Sequence, residues 1–307
     1  MIAVLAAIVA SVAAGATVGH RAPEAAARWN AALLRALLYG ALPLITFFVL
    51  ARLDLGGGVG IGLLLGIVER ATGGVLAYLV ATRVLHAPRP VVGSVVVGVI
   101  VVNTGYLGVP LNATLLGTDA VAPAVAWDVV VSGVSLYLAG FAVGAAFGTS
   151  VGDGRQEQLT AFLTRNPPLW AAAAALVAPD VLAPDVLVGA AEIASILLLP
   201  VGFFVLGATL AVEADEGALP FPPPVTPPLV AILGVRLLVA PVIFAALVLV
   251  TGTRVPDAYR VQSGMACGIN ALVVAHAYGL DLRLSAAAIA WSTALVVPVA
   301  VVAGILS

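Results

Sequence analysis

Long apolar runs alternate along this chain with short polar breaks. The runs fall near 2–19, 31–51, 59–83, 91–117 and 121–147, and then near 167–183, 187–211, 227–250, 257–279 and 284–306. A helix needs about 20 mostly apolar residues to cross a bilayer core. The pattern therefore predicts an all-α, polytopic membrane protein with ten transmembrane helices. A polar connector, 149–166 with "GDGRQEQ" inside it, separates residues 1–148 from residues 167–307. Five spans on each side of it force the second half to be inverted relative to the first.

The halves echo one another. Span two reads "ALPLITFFVLA" (41–51) and span seven reads "LLPVGFFVLGA" (198–208). Asn103-Thr104-Gly105 in span four meets Gln262-Ser263-Gly264 in span nine, and Asn112-Ala113 meets Asn270-Ala271. Such echoes at matching ordinal positions predict an inverted repeat, the sequence pointer for secondary transporters.

Composition agrees with the pattern. Apolar residues make up 62% and charged residues 9%, against about 45–50% and roughly 25% in soluble domains. Lipid must be the solvent for most of this surface. The net charge is -2 and no basic cluster occurs, so nucleic acid is not an expected partner. All 13 basic residues are arginine, which reads as base-composition bias. Cys267 is the single cysteine, so no intrachain disulfide can form. The first run lacks the positive region of a signal peptide and reads as an uncleaved first span. Loops after odd-numbered spans hold Arg21, Arg28, Arg83, Arg89, Arg155, Arg165 and Arg283, and loops after even-numbered spans hold Arg52, Arg254 and Arg260. The positive-inside rule then puts the odd loops in the cytoplasm and both termini outside.

The segment "VVNTGYLGVPLNATLLG" (101–117) is unusual for a bilayer span. Irregular backbone survives in hydrocarbon only inside protein or beside a water-filled cavity. Pro110 removes an amide donor. Gly105 and Gly108 permit unwinding and close approach. Asn103, Thr104 and Asn112, with Gln262, Ser263 and Asn270 in span nine, can satisfy freed backbone groups or contact a solute. Half-helix ends at a break carry partial charges that suit a carboxylate or a cation. The plain structural reading is a proline kink packed on glycine faces.

The stretch "NTGYLGVPL" (103–111) resembles the fourth-span motif of prokaryotic members of the auxin efflux carrier family. The blocks "EAAARWNAALLRALLYGALPLITF" (24–47), "RNPPLW" (165–170) and "INALVVAHAYGLD" (269–281) agree in order. Such carriers resemble bile acid sodium symporters in fold. The resemblance implies broken helices four and nine crossing near the membrane centre. It also implies a scaffold of spans 1–2 and 6–7 and a transport domain of spans 3–5 and 8–10. Family substrates are organic anions such as auxin, malate or malonate. One departure stands out: "SGMACGINAL" has Ala266 and Cys267 where the family usually carries proline.

Charges in mid-span default to functional hypotheses. Glu69 and Arg70 sit near the centre of span three, and successive helical residues point about 100° apart. Each is therefore expected to need its own partner. Glu69 can pair with Arg236 of span eight; alternatively Arg70 or Arg236 meets an anionic solute; a structural ion pair or a snorkelling arginine is the plain reading. Asp128 follows Trp127, as an aspartate often does in the family. It is the candidate for coupling to a proton or sodium ion, against simple interfacial placement, which also fits Glu192. Three scattered histidines give no metal-ligand spacing. "PFPPPVTPP" (220–228) reads as a stiff connector.

These readings converge on a carrier in the cell membrane that moves a small organic anion by alternating access. No cofactor and no catalytic residue are expected; a homodimer is compatible. Two rivals remain: an intramembrane enzyme, for which no serine finds an evident base, and a channel, for which no ring of like charges appears.

Overall fold

The computed structural model describes residues 2–52, 60–152, 154–215 and 222–306. Pro220 and Phe221 of the proline run, Asp153 of the connector and the Glu192 side chain lie outside what it describes. Among the described residues the chain is helical, and five helices are long and apolar enough to cross a membrane. They are α2 (Pro23–Ala51), α3 (Gly60–Val84), α6 (Val121–Phe147), α10 (Pro227–Thr251) and the first part of α13 (Leu282–Leu306).

The remaining apolar runs take other forms. The first is a helix of full length, α1 (Ile2–Arg21). The fourth is interrupted: α4 (Arg89–Ile100) stops, and the chain resumes as α5, a wide turn Thr104–Gly108 leading into Val109–Leu116. The connector carries α7 (Arg155–Thr164). The sixth run, expected over 167–183, is helical only as α8 (Pro167–Ala175). Pro179 interferes with the preceding turn, and Asp180 begins a separate short turn. The seventh is α9 (Asp185–Asp215), which continues through Pro200. The ninth is interrupted too, as α11 (Asp257–Ser263) and α12 (Asn270–Tyr278).

Small residues set the closest packing. A Cβ on Gly15 would overlap the Phe204 carbonyl, and one on Gly207 would overlap the Val12 carbonyl. Thus α1 and α9 touch backbone to backbone, as small residues allow where lipid provides no hydrophobic drive between helices. Asn30 of α2 donates to Thr209 Oγ1 of α9 at 3.2 Å. The main core cluster gathers α4, α12 and α13 around the two interruptions, with Val95, Val97, Cys267, Leu272 and Ile289 fully sheltered.

Candidate functional site

The two interruptions meet. The Asn103 N–H donates to the Ala266 carbonyl at 2.9 Å, and the Gly268 N–H donates to the Val101 carbonyl at 2.8 Å. Val102 and Cys267 face each other as an antiparallel pair. Backbone that has left the helix in each segment is thus paired with backbone that has left the other. This removes much of the cost of unwinding away from water. Ala266 and Cys267 lie in the unwound stretch, and the second interruption forms without a proline. Gly264 and Gly268 flank the unwound stretch, and Gly268 packs on the Val102 backbone at a distance no side chain would permit.

The first break falls at 101–103, ahead of the position that Pro110 suggests. Pro110 lies in the first turn of Val109–Leu116, where a missing amide donor costs least. The wide turn Thr104–Gly108 leads into it, and the Gly108 N–H reaches back to the Asn103 carbonyl at 3.1 Å. Asn103 Oδ1 accepts from the Leu107 N–H at 3.2 Å and so caps α5. Asn112 Nδ2 donates to the Gly108 carbonyl at 2.8 Å.

Side chains stitch α5 to its neighbours. Gln262 Nε2 donates to the carbonyls of Thr104 (3.1 Å) and Ala124 (2.9 Å). Thr104 Oγ1 donates to Asp128 Oδ1 and lies 2.6 Å from Ser132 Oγ. Gly105 and Gly108 are explained by these contacts. A Cβ on Gly105 would come within 2.8 Å of the Asp128 carboxylate, and one on Gly108 would overlap Gln262 Oε1. Three buried polar atoms here have no protein partner: Asn103 Nδ2, Asn112 Oδ1 and Gln262 Oε1.

The charged cluster sits behind the crossing. Arg236 is fully buried. It donates to Glu69 Oε1 at 3.3 Å, to the Val99 carbonyl at 3.2 Å and to the Ser263 carbonyl. Val99 lies in the last turn of α4 and Ser263 closes α11, so one guanidinium serves the C-terminal ends of both broken helices. Those ends carry partial negative charge and free carbonyls. Ser263 Oγ itself donates to the Arg260 carbonyl at 2.8 Å. Glu69 and Arg70 do not take separate partners. Arg70 Nη1 reaches both Glu69 oxygens, at 2.8 and 2.7 Å. The 100° between neighbouring Cα–Cβ bonds is real, but the flexible arginine stem curls back across it. The Arg70 guanidinium also lies 5.9 Å from the Trp127 ring.

A cavity of about 440 Å³ opens beside the crossing. Val101, Val102 and Asn270 form one wall, and α2 and α8 form another through Ile45, Val49, Leu169 and Ala172. Asp128, Ser132 and Tyr137 of α6 and Thr46 of α2 bring polar groups to it. Tyr137 Oη and Thr46 Oγ1 are 2.7 Å apart. Of the sequence-derived candidates, Asp128 and Asn270 line the cavity. Asn103, Thr104, Asn112, Gln262 and Ser263 hold the crossing just behind it, and Glu69, Arg70 and Arg236 anchor it from further back. Thr46, Ser132 and Tyr137 were not singled out from sequence. Ser132 stands four residues after Asp128, one helical turn, and that spacing was the available signal; nothing in the sequence marks the other two. Among the described residues, no group of three His, Cys, Asp or Glu could hold a metal ion.

No curated protein matches the chain. The family model described as membrane transport protein matches residues 156–303. That stretch contains Arg236, the whole second interruption and Asn270. The second half of the chain is therefore similar to this family of membrane transport proteins.

Proposed function

We propose that this chain is a secondary-active membrane carrier for a small organic anion, a carboxylate, working by alternating access. In this reading ten spans form two inverted halves, and spans 3–5 and 8–10 move against a scaffold of spans 1–2 and 6–7. The solute sits in the cavity beside the crossing, against Asn270 and the backbone of 101–102. Asn103, Thr104, Asn112, Gln262 and Ser263 keep the unwound backbone in place. The protein lies in the cell membrane with both termini outside, and a proton or sodium ion accompanies the solute.

One observation carries the reading: two interrupted helices are hydrogen-bonded to one another beside a polar-edged cavity. A packing kink needs neither the pairing nor the cavity. The cavity also has α2 and α8 on one side and α6 and the crossing on the other. Those are the bodies that would have to part for a solute to change sides.

The test is counterflow exchange of labelled malonate, malate and indole-3-acetate in proteoliposomes. A carrier gives saturable exchange that an inward gradient of unlabelled solute accelerates. Asn270→Ala is expected to lower that exchange at least tenfold while leaving expression and melting near normal. Wild-type exchange by this variant would remove the site assignment, and unsaturable flux would replace the carrier with a channel.

A further inference from the structure

The cavity presents an anion with a difficulty. Asp128 lines it, and no arginine or histidine does among the described residues. A carboxylate entering would meet a carboxylate, and like charges at contact distance disfavour the ionised pair.

The hydrogen bonds around Asp128 contain a way out. Thr104 is fully buried and joins two groups that line the cavity, Asp128 and Ser132. A hydroxyl has one proton. When Asp128 is ionised it can only accept, so Thr104 spends its proton on Asp128 Oδ1. Thr104 Oγ1 must then accept from Ser132, and the Ser132 proton points away from the cavity. When Asp128 takes up a proton, an O–H bond forms on the carboxyl and every donor in the row can reverse. Asp128 donates to Thr104, Thr104 donates to Ser132, and the Ser132 proton is freed to face the cavity. Only hydroxyl rotations are needed and no other bond is made or broken. The proton is taken up from bulk solvent through the cavity mouth.

We infer that Asp128, Thr104 and Ser132 form a hydroxyl relay that makes the cavity receptive to a carboxylate only when Asp128 is protonated, so that the solute and one proton bind together. The inference rests on the carboxylate-carrier reading above and names its coupling ion. Protonation removes the repelling charge and supplies a donor in the same step. The titratable groups facing Asp128 are the phenols of Tyr106 and Tyr137. The charged residues of the adjacent α3, Glu69 and Arg70, are closed on each other, and Asp257 and Arg260 of α11 are paired at 2.8 Å. The cycle therefore has one acid to load.

The experiment is calorimetric titration of the purified full chain with malonate, malate and indole-3-acetate as choline salts, from pH 5.5 to 8.5. Affinity for at least one probe is expected to fall about tenfold per pH unit at the alkaline end, the slope of one linked proton. Asp128→Asn is expected to bind with a single affinity across the range, close to the wild-type acid value. Ser132→Ala is expected to weaken binding at pH 5.5, whereas Thr104→Val, which leaves the Ser132 proton free at every pH, is expected to keep the acid-side affinity and flatten part of the pH dependence. The double variant should be no weaker at pH 5.5 than Ser132→Ala, because Thr104 acts on the solute only through the Ser132 hydroxyl. Should Asp128→Asn not fold, the Thr104 and Ser132 cycle carries the test. Binding with one affinity at every pH in the wild type, or an affinity set by added sodium, overturns the relay and leaves the anion reading intact. A double variant weaker at pH 5.5 than Ser132→Ala also overturns the relay. No binding of any probe at any pH overturns the anion reading itself, and this inference with it.

Discussion

The Asn103 amide and the Ala266 carbonyl, 163 positions apart in the chain, are joined at 2.9 Å in the middle of the protein. With its reciprocal bond from Gly268 to Val101, this contact turns two helix interruptions into one structural unit. Each break supplies what the other lacks, so neither could be straightened alone without orphaning its partner's backbone.

Gly268→Ala tests that unit. The new methyl would stand 2.9 Å from the Val102 carbonyl carbon and 3.0 Å from its oxygen. Backbone cannot step aside as a side chain can, so the two segments must separate. The expected cost is about 1–3 kcal/mol of stability, read as a lower melting temperature in detergent, together with loss of transport. Unchanged melting would mean that the pairing contributes nothing.

Gly108→Ala probes the contact between α5 and Gln262. Its Cβ would displace Gln262 Oε1 and press on Met265 at 3.1 Å. Gln262 would then forfeit bonds to Thr104 and Ala124, at about 1 kcal/mol each. Gly133→Ala is the control. Its nearest neighbour is the Tyr137 ring at 3.6 Å, ordinary contact. The expected result is a clear drop in melting temperature for the first and little change for the second.

Glu69→Gln leaves the Arg70 and Arg236 guanidiniums buried with no carboxylate between them. Removing one partner from a buried ion cluster costs about 3–5 kcal/mol. Adding Arg70→Met should recover part of that. The Arg236 charge would still face the C-terminal ends of α4 and α11, which stabilise a cation. Thermal unfolding of the single and double variants decides this; a double variant no more stable than the single would show that those helix ends do not support Arg236.

Arg165→Ala should loosen the connector. Arg165 donates to Ser150 Oγ at 2.9 Å and to the carbonyls of Ser150 and Ala277 at 3.1 and 3.2 Å. It thereby ties the residue after α7 to the end of α12. The amides of Thr149 and Ser150, bonded to Gly279 and Tyr278, are expected to exchange with solvent roughly tenfold faster in the variant. Hydrogen-exchange mass spectrometry over 147–151 and 275–280 reads this directly. Equal exchange would show that Arg165 is not part of the clasp.

Much of the site was legible because breaking a helix is a local act. Glycine, asparagine and threonine clustered with proline inside an apolar run weaken the helix locally, and both interruptions lie where glycine and polar residues cluster. The position of the first break was less legible. Pro110 is the strongest breaker in the run, yet it sits in a first turn that tolerates it, and the chain leaves the helix earlier, where Ala266 and Gly268 offer hydrogen bonds. Glu69 and Arg70 show the same limit from the other side. Helical geometry separates their backbones, but the length and freedom of the arginine side chain bring their charges together.

Hydropathy and residue type alone determined that this chain is helical and suited to a membrane, and they marked two of its apolar segments as places where a helix can break or kink. These are properties of each segment in its solvent. Only the tertiary structure decided that the two breaks pair, that Arg236 gathers the ends of α4 and α11, and that Thr104 stands between Asp128 and Ser132. Those outcomes depend on which helices pack side by side, and side chains that meet across helices far apart in the chain leave no periodic trace along it.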